Sequence, residues 1–263
     1  MTNIATEAQK VVDQLGKVMS EQPERLVAIP LPDTHVVLPG GLQFLKGVVT
    51  DAEVKELTGD DEEFISKASA NPGKMLSAIL QRGVVSVGGQ AADKGMLDGL
   101  LSGDRDMLLL GIRRATFGDE VFVHASCQHC HENLEVTISI TDDIPVKRLG
   151  EDDPRVFTLD LRAGTVVAAL PDGAVQRQIL ESLDKTSAEL KTIMLRGCVN
   201  SINGMPVVTD AQVKNLGVRD RQKIVETLNA ANPGPLLADV KADCVFCGKE
   251  MELPLSLVEL FPF

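Results

Sequence analysis

The sequence predicts an α+β protein made of two related units, and three observations predict it. A two-cysteine knuckle, Cys127-Gln128-His129-Cys130, precedes the alternating apolar run Leu134, Val136, Ile138, Ile140, and it recurs as Cys244-Val245-Phe246-Cys247 before Met251, Leu253, Leu255, Leu257. The step from the second cysteine to the first apolar residue is four positions in both, and Glu135 and Ser139 return in register as Glu252 and Ser256. Arg82-Gly83 and Asp104-Arg105 return in the same order as Arg196-Gly197 and Asp220-Arg221. The intervals are near-equal: Arg82 to Asp104 is 22 positions against 24 from Arg196 to Asp220, and Asp104 to Cys127 is 23 against 24 from Asp220 to Cys244. Finally, stretches of helical period alternate with period-two runs in each half, which argues against an all-α or all-β chain.

Taken in order, residues 1–25 predict an N-terminal helix, with Ile4, Ala8, Val11, Leu15 and Val18 on one seam and Gln22-Pro23 as its stop. That seam lies either on its own domain or on a partner. Residues 26–140 form the first unit. Leu26–Ile29 and Val36–Leu38 read as extended, and Pro39-Gly40-Gly41 as a turn. Thr50 with Glu53, and Thr58 ahead of Gly59-Asp60-Asp61-Glu62-Glu63, carry helix-start signals, with acids suited to a first turn. Helix is predicted over 74–87 around Met75, Leu76, Ile79 and Leu80, and again over 93–115, with Gly88-Gly89 as a linker. Val121-Phe122-Val123 enters the first knuckle. Residues 141–154, with Pro145, Gly150 and Asp152-Asp153-Pro154, read as the linker between units. Residues 155–263 form the second unit: a hairpin around Ala163-Gly164, a Pro171-Asp172-Gly173 turn that parallels Pro39-Gly40-Gly41, helix over 174–195, and the second knuckle.

Composition narrows the function classes. The chain has 263 residues, 44% hydrophobic and 24% charged, with eight Phe and neither Trp nor Tyr, so its core is aliphatic and stacking platforms for bases or sugars are scarce. A net charge of −12 opposes a nucleic-acid or anionic-membrane partner. No apolar run reaches the ~18 residues of a membrane span, and Met1–Lys10 lacks a signal-peptide core.

Four of the five cysteines stand in CxxC pairs, which fits a metal in a reducing compartment. Two pairs supply the four thiolates of a structural zinc site, so Cys127, Cys130, Cys244 and Cys247 are the expected ligands of one Zn2+ per chain. Gly248 permits the close turn of such a knuckle. Three other arrangements remain: two redox CxxC motifs, two separate sites completed by His124, His129 or His131, and a cluster of four reduced cysteines. A strand rather than a helix after each pair disfavours redox chemistry. Cys198, without a CxxC partner, reads as a core thiol. No GxSxG, GxxxxGK or HExxH pattern occurs, so no catalytic residue is expected.

Leu57-Thr58-Gly59-Asp60-Asp61-Glu62-Glu63, then Gly103-Asp104-Arg105-Asp106, Ile112–Asp119 and the first CxxC with its apolar strand, resemble in content and order the baseplate hub assembly chaperones of T-even-type contractile phage tails and related injection systems. The resemblance covers roughly residues 35–140. It implies a non-enzymatic structural or assembly role, partners among baseplate and tail proteins, and a place in the host cytoplasm during assembly or in the finished baseplate; the N-terminal seam, if it lies on a partner, is a candidate contact to them. The rival readings are a zinc-ribbon module acting on nucleic acid or a regulatory protein, and a thiol oxidoreductase.

Overall fold

A computed structural model describes residues 34–44 and 47–262. The expected N-terminal helix and the Leu26–Ile29 run lie outside the described residues.

The described chain is α+β. Strands β1 (His35–Phe44) and β2 (Gly47–Val54) form a hairpin; helices α1 (Gly59–Ser66) and α2 (Pro72–Gly83) follow; β3 (Val84–Val87) and β4 (Gln90–Ala91) complete an antiparallel sheet of order β1-β2-β3-β4. Helices α3 (Lys94–Gly99) and α4 (Ser102–Phe117) lead to the knuckle hairpin of β5 (Glu120–Ser126) and β6 (Asn133–Ser139). The same order of elements runs from Val156 to Glu252. There β8 (Val156–Leu161) and β9 (Gly164–Ala169) precede α5 (Gly173–Leu180) and α6 (Ser187–Cys198). Then β10 (Val199–Ile202) and β11 (Met205–Pro206) precede α7 (Asp210–Lys214) and α8 (Val218–Ala231), with the sheet ordered β8-β9-β10-β11. The second knuckle hairpin is β13 (Lys241–Asp243) and β14 (Glu250–Glu252). Between the halves, β7 (Val146–Lys147) pairs with β12 (Gly234–Pro235).

Several expected elements are corrected. Thr50 lies in β2, not at a helix start: Ala52 and Val54 point inward while Asp51 and Glu53 point out, a period of two that outweighs the local capping pattern. Pro39-Gly40-Gly41 is a bulge inside β1, where the register against β2 shifts between Val37 and Leu42, whereas Pro171-Asp172-Gly173 opens α5 with Asp172 as its cap. The helix expected over 74–87 ends at Gly83, because Val84–Val87 is β-branched and pairs with β2. Gly88 and Gly89, with φ of 59° and 72°, form the two-residue turn of the β3–β4 hairpin and not a linker. The helical stretches 93–115 and 174–195 are each two helices. The alternating run after Cys247 is strand only to Glu252, since Pro254 cannot donate to a ladder.

The core has two parts. One gathers Leu108, Leu109 and Ile112 of α4 with Val36, Val54 and Ile79, and extends to Ile138, Cys127, Cys244, Met251, Leu253 and Phe261. Both knuckles therefore pack with the first sheet. The other joins Val166 and Ala168 to Leu195, Ile224 and Leu228. Backbone sews the halves together: Gly173 N–H donates to Leu100 O (2.7 Å) and Ser102 N–H to Pro171 O (2.9 Å). The approach is close enough to require glycine. A Cβ on Gly103 would stand 1.7 Å from Pro233 O, and one on Gly73 2.5 Å from Glu181 N. Asp98 bridges the same seam, accepting from Arg105 Nη1 (3.2 Å) and Arg177 Nη2 (2.9 Å).

Two aspartates act alike in the two halves. Each is the third residue of its helix and fully or nearly buried. Asp104 Oδ1 accepts the N–H groups of Gly40 (2.6 Å) and Gly41 (3.2 Å), and Asp220 accepts that of Ala163 (3.0 Å). The Arg82 landmark is met differently. Arg82 Nε donates to buried Asp61 (2.5 Å), whereas Arg196 Nη2 donates to Val208 O (2.8 Å). Asp61 also accepts from Lys55 Nζ (2.7 Å) and from Thr58 N (3.0 Å), closing a capping box at α1. Burial pushes the Asp61 carboxyl up, but the Lys55, Thr58 and Arg82 hydrogen bonds outweigh it and hold it well below the usual carboxylate range.

Candidate metal centre

The two knuckles are built to the same backbone plan. In the first, Cys127 N–H donates to Glu132 O (2.9 Å) and His131 N–H to Cys127 O (2.9 Å); in the second, Cys244 N–H donates to Lys249 O (2.9 Å) and Gly248 N–H to Cys244 O (2.8 Å). The fourth residue after the leading cysteine is left-handed in both, His131 at φ 63° and Gly248 at φ 66°. Glycine accepts that conformation freely and histidine at a cost. The β5–β6 hairpin runs seven paired residues into its knuckle, the β13–β14 hairpin three.

The fold brings both knuckles to one point. Cys127 Sγ lies 3.8 Å from Cys247 Sγ, Cys130 Sγ lies 3.7 Å from Cys244 Sγ, and all four sulfurs fall within 4.8 Å of one another. A tetrahedral zinc with Zn–S bonds of about 2.3 Å has sulfur–sulfur edges of about 3.8 Å. Cys127 and Cys244 are buried, Cys130 is half-buried and Cys247 exposed. Backbone groups of the first knuckle's partner hairpin hold the pair in place: Gln128 Nε2 donates to Glu252 O (3.2 Å), and His129 Nε2 lies 3.1 Å from Glu250 O, where only an N–H on that nitrogen can bond. His129 is thus turned to β14, and His124 faces Glu135 at 3.6 Å. Among the described residues the four cysteines form a group whose ligand atoms could hold one metal ion, and no histidine belongs to that group.

The electrostatics call for a cation. Backbone N–H groups of Cys130 and His129 pull the Cys127 thiol down to about 6. Glu132 N–H likewise favours a thiolate at Cys130, but burial and the neighbouring sulfurs outweigh it and push that thiol up to about 12. Four sulfurs this close cannot all ionise without a counter-charge, which a divalent ion would supply. The donor set is sulfur alone, which suits a soft or borderline metal and a closed site. Cys198 stands apart in the second core, its thiol pushed up to about 12 by burial.

Sequence reasoning did not single out the Lys55–Asp61–Arg82 cluster or the Asp98 bridge. The spacing of Asp61 from Thr58 was the available signal for the first, and none existed for the second, because its partners Arg105 and Arg177 meet only in the fold.

A family model described as T4 bacteriophage base plate protein matches residues 45–261, which takes in both knuckles, the second sheet, and the first sheet apart from β1. No curated protein and no solved structure compared with the chain matches it. No described helix is long and apolar enough to cross a membrane. With the family model spanning most of the chain, the protein belongs to the T4-type baseplate protein family of contractile phage tails.

Proposed function

We propose that this chain is a non-enzymatic assembly component of a contractile-tail baseplate, acting at the hub, whose rigid shape depends on one structural zinc held by Cys127, Cys130, Cys244 and Cys247. The observation that carries the reading is the convergence of the four sulfurs within 4.8 Å in a chain of the baseplate family. A closed four-thiolate site leaves a metal no open position for substrate, so its work is to hold structure. The same element order in the two halves, with matching knuckle turns and matching buried aspartates, supports a duplicated unit, residues 26–140 and 155–263, clasped by that ion. Zinc would join two hairpins far apart in sequence and so fix how the halves present themselves to other tail proteins.

Deletion of the gene from its phage, with electron microscopy of lysates, tests the assembly role: missing or malformed baseplates are expected, and wild-type tails in the deletion would overturn it. Complementation with Cys127→Ser tests the clasp in the same assay. Mass spectrometry of purified particles decides whether the chain stays in the baseplate or leaves after hub assembly.

A further inference from the structure

A cleft of about 360 Å3 opens where α1 and α2 face α3 and α5. Its floor is apolar, with Ala68, Ala78 and Leu97, and Phe64 stands at one wall, 38% exposed. Five cations line it, Lys67, Lys74, Lys94, Arg105 and Arg177, against two carboxylates, Asp98 and Glu181. Arg105 and Arg177 grip Asp98 from two elements and Lys94 also feels its charge, but five cations against two carboxylates leave the lining net positive. Lys67, Lys74 and Lys94 are exposed and form no ion pair or hydrogen bond through their amines among the described residues. On a chain of net charge −12, an apolar-floored cleft with a cationic rim runs against the general field.

We propose that this cleft docks an acidic peptide segment of another protein, with an apolar side chain seated between Phe64 and Leu97 and carboxylates facing Lys67, Lys74 and Lys94. Charge complementarity selects this occupant. A symmetric contact with a second copy would set the three lysines against their own counterparts. A nucleic acid would meet the acidic remainder of the surface with one phenylalanine to stack on. An acidic segment gains both the rim charges and the apolar seat, and long-range attraction raises its encounter rate. The proposal deepens the assembly reading by naming the chemistry of a partner, and it rests on that reading only for the partner being a protein.

Selection of short random peptides displayed against the full, metal-loaded chain tests it, followed by fluorescence anisotropy of the recovered sequences. The recovered peptides should be rich in Asp and Glu around an apolar residue. Binding should weaken at least about tenfold in the triple variant Lys67→Glu/Lys74→Glu/Lys94→Glu. It should persist in Lys185→Glu/Lys214→Glu/Lys223→Glu, which carries the same change of charge elsewhere. Circular dichroism of both variants verifies folding, and Leu97→Met, a volume-conserving change at the seat, gives a second reading in which affinity shifts while charge does not. Recovered peptides without acidic character, equal loss in both triple variants, or self-association that the cleft variant abolishes would each overturn the proposal. Tails that assemble normally without the chain would sink the assembly reading and leave the peptide measurement standing.

Discussion

Gly103→Ala probes the seam between the two halves. Gly103 is the second residue of α4, and an alanine there would place its Cβ 1.7 Å from Pro233 O, 2.6 Å from Pro233 C and 2.7 Å from Gly234 Cα. These are backbone atoms, held by the pairing of Gly234 and Pro235 with Lys147 and Val146, so no side chain can swing aside. Contact distances of about 3.3 Å or more require the two backbones to part by roughly 1.5 Å. Such overpacking costs typically 1–3 kcal/mol, about 3 where backbone must yield. The parting also strains the neighbouring Asp104 bonds to Gly40 and Gly41. Alanine's helix propensity offsets at most about 1 kcal/mol. A net loss of roughly 2–3 kcal/mol should lower the urea midpoint by about 1 M. Gly59→Ala is the control: it too lies in a helix, but its added methyl meets nothing within 4 Å, so stability should stay level or rise by up to about 1 kcal/mol. Equal midpoints for the two variants would refute the close-approach argument.

Elemental analysis should find about one zinc per chain, and Cys127→Ser or Cys247→Ser should each abolish it, since both belong to one set of four sulfurs; two ions per chain, or half retained, would refute a shared site. Asp61→Asn should cost roughly 1.5–3 kcal/mol, measured by denaturant titration, by weakening the charge-assisted hydrogen bonds from Arg82 and Lys55, whose cations remain partly in water. Because the folded Asp61 carboxyl is held below its unfolded value near 3.9, its contribution is full above that pH and is lost as pH falls further; the wild type should therefore lose more stability than the Asn variant below about pH 4. His131→Gly should raise the thermal midpoint by relieving a left-handed residue, worth about 0.5–1 kcal/mol, while metal content stays constant; a lower midpoint would show that the imidazole matters more than the backbone.

The knuckles were legible because a CxxC turn is a local motif. CxxC spacing, Gly248 and the paired register after Cys130 and Cys247 are all within a few residues. The elements that misled were those in which partners distant in sequence outvote local signals. Thr50 and Glu53 spell a helix cap, yet the pairing of β2 with β1 and β3 draws them into a strand. Pro39-Gly40-Gly41 spells a turn, yet Asp104 holds the two glycine amides and makes a bulge. Gly88-Gly89 spells a break, and the strands on either side turn it into a hairpin. The cationic cleft left no mark in the sequence, because Lys67, Lys74 and Lys94 come from three elements that only the fold assembles.

The separation of the sulfurs along the chain sets an order of events during synthesis. Cys127 must wait 120 residues for Cys247, and Cys130 must wait 114 for Cys244. A ribosome therefore releases the whole first sheet, with its helices, before the partner thiolates exist, and early metal capture by one pair is half a site. Closure of so long a loop adds slowly to the entropic cost but arrives last. An ion bound there would act as an inspector at the end of the line: only a chain whose two halves have both folded can present four sulfurs together, so metal retention would certify a finished part before it is offered for assembly.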